Sequence, residues 1–103
     1  MPTYERSASF KADYQRLDQR ERQQVRTALR RFIEDLAAIE EGTATDFRPS
    51  LRVKAMRANP GVFELTWEAA DGRATFDFGP PREPGKRHVR WRRIGTHVIF
   101  RDP

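Results

Sequence analysis

The spacing of apolar residues changes once along this chain, at Phe47, and this change limits the folds available to it. Before Phe47, apolar side chains recur every three or four positions, as Val25, Leu29, Phe32 and Leu36 do, which is typical of one face of an α-helix. After Phe47, apolar and polar side chains alternate, which is typical of strands with one buried face. Helices followed by strands predict an α+β domain.

The first half of the chain predicts a helical hairpin with one apolar side. A serine, Ser7 or Ser9, is the expected N-cap of the first helix, and residues 3–7 before it read as a short strand. The second helix is expected to begin after Asp18, whose carboxylate can accept the free amides of the first turn, and to end at Gly42. The apolar face of the first helix consists of Phe10, Tyr14 and Leu17.

The second half predicts a curved antiparallel sheet, with the helices packed on one side of it. Turn signals, "NPG" and "AADG", separate the strands, and "PPREPGK" reads as a loop by composition. The predicted strands cover residues 51–56, 62–68, 73–79 and 87–94. In the last strand, alternation places Trp91 on one face and Arg90 and Arg92 on the other, so these arginines are expected to line the open face of the sheet.

Length and composition exclude several classes of protein. A chain of 103 residues predicts one domain, residues 1–103. The absence of cysteine excludes disulfides and thiolate metal sites, and it fits a reducing cytoplasm. The first ten residues lack the apolar core of a signal peptide, and no apolar run is long enough to span a membrane. The two histidines, nine positions apart, form no recognisable metal-ligand set, so no metal or other cofactor is expected.

Charge is the first functional clue. The net charge is +5, and residues 48–103 carry 12 basic and 6 acidic side chains. A basic half with interleaved aromatic residues indicates a polyanionic partner, most simply nucleic acid. The alternative is a basic surface that only faces solvent.

The order of the segments resembles the RelE/ParE superfamily of bacterial type II toxins. The likeness lies in a helical hairpin followed by "LRVKAMRANPGVFELTW", "DGRATFDFG" and "HVRWRRIGTH". It implies a single RelE-like domain with a microbial RNase fold and a cognate antitoxin encoded by an adjacent gene. In the RelE branch it implies ribosome-dependent cleavage of mRNA, and in the ParE branch inhibition of DNA gyrase without RNA cleavage. Operator DNA would be contacted mainly through the antitoxin.

The same likeness implies roles for particular residues. Arg73 is similar to the family arginine that holds the scissile phosphate, and His97 stands where family members place a catalytic side chain. Metal-free RNA cleavage suits this pair, because arginine stabilises the charged phosphorus and histidine transfers protons near neutral pH. The expected RNA-binding residues are Arg52, Lys54, Arg90 and Arg92. For each of these six residues, a solvent-exposed charge without a function is the alternative.

Four further residues complete these expectations. Alternation places Glu64 on the same open face, where we expect it to pair with an arginine. His88 is expected at the rim of that face. Some RelE-type enzymes use a glutamate before the hairpin or a tyrosine near the C-terminus, and this chain has Arg48 and Phe100 in those regions. The general base is therefore not identified, and a catalytically inactive toxin-like binding module stays an alternative.

Overall fold

Two helices lie on one face of a five-stranded sheet in the computed structural model, which describes residues 2–103. The predicted α+β class is confirmed. The sheet has the strand order β1-β5-β4-β3-β2. The elements are β1 (Thr3–Arg6), α1 (Ala8–Arg16), α2 (Gln19–Glu40), β2 (Lys54–Ala55), β3 (Phe63–Glu68), β4 (Gly72–Glu83) and β5 (Lys86–Gly95), with 3-10 turns at Pro49–Leu51 and His97–Arg101.

The sheet is mixed, so the prediction of an antiparallel sheet is wrong in one pairing. β2, β3, β4 and β5 pair antiparallel, but β1 runs parallel to β5, with Thr3 opposite His88. The predicted short first strand is present, and it pairs with the last strand of the chain. Turn residues specify hairpins between neighbouring strands, but they carry no information about a partner so distant in sequence.

Both helices begin at the residues that the sequence indicates. Ser7 accepts the amide of Phe10 and caps α1. Asp18 and Glu21 form a capping box at the start of α2, each side chain accepting the other residue's amide. α2 ends at Glu40, and Gly42 then takes a positive φ of 79° that favours glycine. Neither helix of residues 2–103 has the combination of length and apolar composition that crossing a membrane requires.

The core lies between α2 and the sheet, and its centre is Phe32. This ring stacks on Phe47 at 4.9 Å and meets Phe76 and Trp91 edge-on at 4.8 and 5.1 Å. α1 packs against β5 and α2 against β3. The face of the sheet that carries Trp91 is thus covered by the helices. The opposite face carries Thr75, Asp77, Arg90 and Arg92, and we call it the open face.

The prediction of a strand over residues 51–56 is largely wrong. Arg52 lies in the left-handed region with φ 47°, directly after the 3-10 turn, and only Lys54–Ala55 pair with β3. Arg48 explains the difference, because its guanidinium and its amide both bind Asp35 on α2, at 2.7 and 2.9 Å. Pro49 then starts the tight turn, for which its fixed φ is suited.

The proline-rich segment 80–86 is not a loop. β4 continues to Glu83, and β5 starts at Lys86 after a turn in which Gly85 has φ 74°. The register of the pairing is irregular between Gly79 and Glu83. Prolines, which lack an amide donor, are tolerated where the hydrogen-bond ladder is interrupted.

Candidate functional site

Asp71 and His97 are in contact at one end of the sheet. The ring Nδ1 of His97 lies 2.8 Å from Oδ1 of Asp71, and the backbone amide of His97 donates to the same oxygen at 3.2 Å. These two hydrogen bonds, the side-chain one above all, hold the pKa of Asp71 below its usual value of 3.8. Because the carboxylate is ionised at neutral pH, Nδ1 carries the proton in this contact. The side chain of His97 is 71% exposed, so its Nε2 edge can reach a solute.

The turn before β4 places Asp71. The carboxylate of Glu68 accepts the amides of Asp71 and Gly72, at 2.9 and 3.2 Å, and so closes the turn between β3 and β4. Gly72 is required at this position, since a Cβ there would lie 2.6 Å from the Cβ of Glu68 and 2.7 Å from Cδ2 of Trp67. The indole of Trp67 in turn donates to the carbonyl of Arg73 at 2.9 Å. These hydrogen bonds therefore fix the conformation of the turn that contains Asp71.

Arg73 belongs to the same cluster. It lies opposite Gly95 in the pairing of β4 with β5, which places it on the open face, and His97 follows Gly95 by two residues at the start of the 3-10 turn. Its Nη1 donates to the carbonyls of Glu68 and Gly72 at 3.2 and 2.9 Å, and its charge contributes to lowering the pKa of Asp71. The structure brings Arg73 and His97 to one end of the sheet, with Asp71 beside both.

Gly95 allows His97 to take its position. A Cβ at Gly95 would lie 3.1 Å from Cγ2 of Ile99, so the glycine lets the 3-10 turn His97–Arg101 fold back onto the open face. Thr96 caps this turn by accepting the amide of Val98 at 3.4 Å. Gly95 is thus the residue at which the chain leaves the sheet.

Asp77 binds both arginines of β5 that we expected to bind RNA. Its carboxylate accepts hydrogen bonds from Arg90 and, at 2.7 Å, from Arg92. Burial to 9% exposure raises the pKa of Asp77, but the bonds from the two arginines outweigh that effect, and the pKa lies below its usual value. Arg92 also donates to the carbonyl of Pro103. Both arginines lie on the open face as predicted, and they share the carboxylate of Asp77.

The pairing of β5 with β4 is irregular at Arg93. β5 has one extra residue at this point, so Thr75 of β4 faces Arg93 and Phe76 faces Trp91. A bulge of this kind changes the alternation of all later side chains. Arg93 then reaches the carboxylate of Asp13 on α1.

The two basic residues expected before the hairpin do not share a strand face. Arg52 is exposed in its left-handed conformation outside the sheet, so its predicted place in a strand is wrong. Lys54 lies in β2, with Nζ 3.7 Å from the carboxylate of Glu64. Glu64 therefore pairs with a lysine on the open face, rather than with the predicted arginine.

His88 is buried, so its expected place at the rim is wrong. It is 2% exposed, and its ring lies 2.8 Å from the hydroxyl of Thr3 and 2.7 Å from the carboxylate of Glu5. Both partners belong to β1, so His88 ties that strand to β5. If residue 79 were not a glycine, its Cβ atom would lie 3.2 Å from Cδ2 of the His88 ring.

Sequence reasoning missed Asp71 and Asp77. Asp71 stands in the turn "AADG", where an aspartate is common for local reasons, and its partner His97 is 26 positions away. Asp77 follows a phenylalanine in a strand, and its alternation with Phe76 and Phe78 was the signal that it faces the arginines of β5.

The open face is consequently less cationic than its basic residues alone suggest. Lys54, Arg90 and Arg92 each have an acidic partner on it. Counted at about 3.3 Å per residue, Asp77 lies roughly 13 Å along β4 from Arg73. The cluster of Asp71, Arg73 and His97 is thus separate from the arginine pair of β5.

Within residues 2–103, no group of three or more histidine and carboxylate side chains is arranged to hold a metal ion. Comparison of the chain with models of protein families, with curated proteins and with solved structures gives no match.

Proposed function

We propose that this chain is the toxin of a bacterial type II toxin-antitoxin system and that it cleaves mRNA on the ribosome without a metal ion. The observation that carries the proposal is the hydrogen bond from His97 to Asp71, with the imidazole exposed and Arg73 beside it. A histidine oriented by a carboxylate, next to a guanidinium, supplies proton transfer and charge stabilisation. The order of sequence segments that resembles the RelE/ParE superfamily supports the same reaction.

In the proposed reaction the 2′-oxygen of a ribose attacks the adjacent phosphorus. The bond from phosphorus to the 5′-oxygen breaks, which leaves a 2′,3′-cyclic phosphate and a 5′-hydroxyl. Nε2 of His97 either accepts the proton of the 2′-hydroxyl or protonates the departing 5′-oxygen. Asp71 holds the ring in one tautomer and orientation.

Arg73 is the proposed ligand of the phosphoryl oxygens. Its Nη1 is already bound to two backbone carbonyls, which fixes the plane of the guanidinium and leaves its other nitrogens for substrate. A donor fixed before the reaction stabilises the developing charge without reorganisation.

The compensated arginines favour cleavage on the ribosome rather than of free RNA. A phosphate that binds Arg90 or Arg92 has to compete with Asp77. Arg52 is exposed and can contact a backbone more freely, whereas Lys54 has Glu64 within 3.7 Å. We therefore expect weak binding of isolated mRNA, with the ribosome positioning the substrate and an acidic antitoxin as the inhibitor.

The second candidate is a non-cleaving toxin directed at DNA gyrase, or a catalytically inactive toxin-like binding module. The exposed arginines of α2 favour it, because this helix and not the Asp71 cluster would then bind the target. They include Arg20, Arg30 and Arg31.

Induction in a bacterial host distinguishes these candidates. The wild-type chain, Arg73→Ala and His97→Gln are each induced, with Arg57→Ala as an exposed arginine control outside the cluster. Primer extension on ribosome-bound mRNA should reveal new 5′ ends for wild type and Arg57→Ala, and none for the two cluster variants. Halted growth with intact mRNA would refute cleavage, and trapped gyrase-DNA complexes would identify the second candidate.

A further inference from the structure

A small cavity of about 240 Å³ lies between α2 and β3. Within residues 2–103, β2 pairs only with Phe63 and Glu64, so no strand covers the outer edge of β3 beyond that point. Ala28, with its short side chain, lines the cavity from α2. We call this site the Trp67 cavity, and its polar and aromatic lining residues are Gln23, Gln24, Thr27, Arg31, Thr66 and Trp67.

Arg31 gives the Trp67 cavity a positive charge. Among the described residues that line it, Arg31 is the only charged one. None of the ion pairs within residues 2–103 includes Arg31, so its guanidinium is free to bind an anion. This arrangement contrasts with the open face, where Asp77 binds both Arg90 and Arg92.

The other lining residues offer hydrogen bonds and an aromatic surface. Amides and hydroxyls supply both donors and acceptors, so Gln23, Gln24 and Thr27 can bind the polar edge of a ring. Trp67 already donates its Nε1 proton to the carbonyl of Arg73 at 2.9 Å. A ligand therefore meets the indole through its π-system, on which any flat ring can stack.

The size of the Trp67 cavity limits its ligand. At about 240 Å³ the cavity is smaller than the sites of drug-sized ligands, which are roughly 300–1,000 Å³. It therefore suits a single planar ring with one acidic group, and it is too small for a dinucleotide cofactor.

Trp67 connects this cavity with the Asp71 cluster. Besides its bond to the Arg73 carbonyl, the indole packs so closely on Gly72 that a Cβ there would lie 2.7 Å from Cδ2 of Trp67. Gly72 lies between Asp71 and Arg73 in the chain, and its carbonyl accepts a hydrogen bond from Arg73. A displacement of the indole should therefore move the backbone that carries the cluster.

We propose that the Trp67 cavity binds a small planar anion and that its occupation shifts the turn that carries Asp71 and Arg73. The ring would stack on Trp67, and its acidic group would bind Arg31. A nucleoside monophosphate and an aromatic carboxylate share this chemistry. Binding does not depend on RNA cleavage, whereas an effect of the ligand on cleavage rests on the proposed function.

NMR spectroscopy of the full chain tests the site. The chain has two tryptophans, so the spectrum of Trp67→Phe identifies the indole signal of Trp67. The probes are uridine 5′-monophosphate, benzoate, and uridine, which lacks the acidic group. At least one of the two anions should shift the indole N–H signal of Trp67, and the tighter of the two identifies the source of the ligand. The absence of a shift with both anions at millimolar concentration would refute the site.

Arg31→Ala should weaken the binding of the anion about threefold to fivefold, which is the usual effect of one exposed charge pair. Arg30→Ala removes the same charge from the same helix outside the cavity and should leave the affinity unchanged. Both positions are exposed, so the variants should fold. Equal affinities of the two variants would refute the assigned ligand class, and so would equal affinities of the wild-type chain for uridine and its monophosphate.

Arg73→Ala separates this site from the proposed nuclease. Its backbone carbonyl remains available to Trp67, so the ligand should still shift the indole signal, and loss of that shift would place the anion at the Asp71 cluster and refute the cavity. mRNA cleavage by the wild-type chain is measured in parallel, so failure of the cavity and failure of the proposed nuclease are distinguishable.

The backbone amide signals of Gly72 and Arg73 test the coupling. They should shift together with the indole signal in the wild-type chain. In Trp67→Phe, which keeps an aromatic ring but lacks the N–H donor, they should respond much less to the same ligand. An indole shift in the wild-type chain without any change at Gly72 and Arg73 would refute the coupling.

Discussion

The carboxylate of Asp13 on α1 accepts two hydrogen bonds from the guanidinium of Arg93 on β5, at 2.7 and 3.1 Å. The same carboxylate also accepts the amide of Ile94 at 3.1 Å. Asp13 is only 7% exposed, so this contact is a buried polar joint between the first helix and the last strand. It holds β5 immediately before Gly95, where the chain turns toward His97.

Replacing Asp13 by alanine should therefore lower the free energy of unfolding by about 3 kcal/mol or more, because it leaves a partly buried guanidinium and a buried amide without their partner. Urea denaturation measures the change. Glu41→Ala, at an exposed acidic position, should alter the free energy by no more than about 0.5 kcal/mol. Equal effects of the two substitutions would show that the Asp13 contact does not stabilise the fold.

His97→Gln should reduce cleavage by the share that general acid-base catalysis supplies, about 10²–10⁴-fold. Asp71→Asn should reduce cleavage by a smaller factor than His97→Gln, because the asparagine amide no longer holds the imidazole through an ionised oxygen. The pH profile of cleavage is the decisive readout for Asp71, since a purely structural role would lower the rate without moving the profile. An unchanged profile in Asp71→Asn would remove Asp71 from the proton-transfer scheme.

Arg73→Ala should lower the rate of cleavage by about 10²–10³-fold, the usual cost of losing one preorganised donor to a developing charge. Arg73→Lys should restore only part of it, because an ammonium lacks the planar fork. Single-turnover cleavage on purified ribosome complexes measures both variants. A lysine variant as active as wild type would mean that Arg73 acts as a simple positive charge.

Acid should destabilise the fold, because the pKa of the Asp77 carboxyl group is lowered in the folded chain. The pKa of Asp77 in the folded chain lies below the usual 3.8, so its pairs with Arg90 and Arg92 stabilise the fold fully above that value. This contribution is lost as the pH falls through the folded pKa. Unfolding monitored by tryptophan fluorescence from neutral to acidic pH should show this loss.

Asp77→Asn should be less stable than wild type at neutral pH and should lose less stability on acidification. The two proteins should therefore approach one another in stability at low pH. Parallel stability curves over the whole range would mean that Asp77 does not contribute to the acid sensitivity.

Much of the local structure could be predicted from the sequence, because each determinant acts over a few residues. Apolar period and side-chain caps indicated both helices, with Ser7 and Asp18 as their first caps. Alternation within β5 predicted that Arg90 and Arg92 lie opposite Trp91. Arg73 and His97 were identified by likeness to a toxin family, and that likeness contained no information about Asp71.

The tertiary structure alone decided which distant segments of the chain are in contact. The parallel pairing of β1 with β5 buries His88, and the folding back of residues 97–101 brings His97 to Asp71. Asp77 pairs with both Arg90 and Arg92 and so reduces the positive charge of the open face. Net charge and periodicity describe each segment by itself. Burial and charge pairing depend on which segments pack together, and only the packing of the whole chain determines which segments meet.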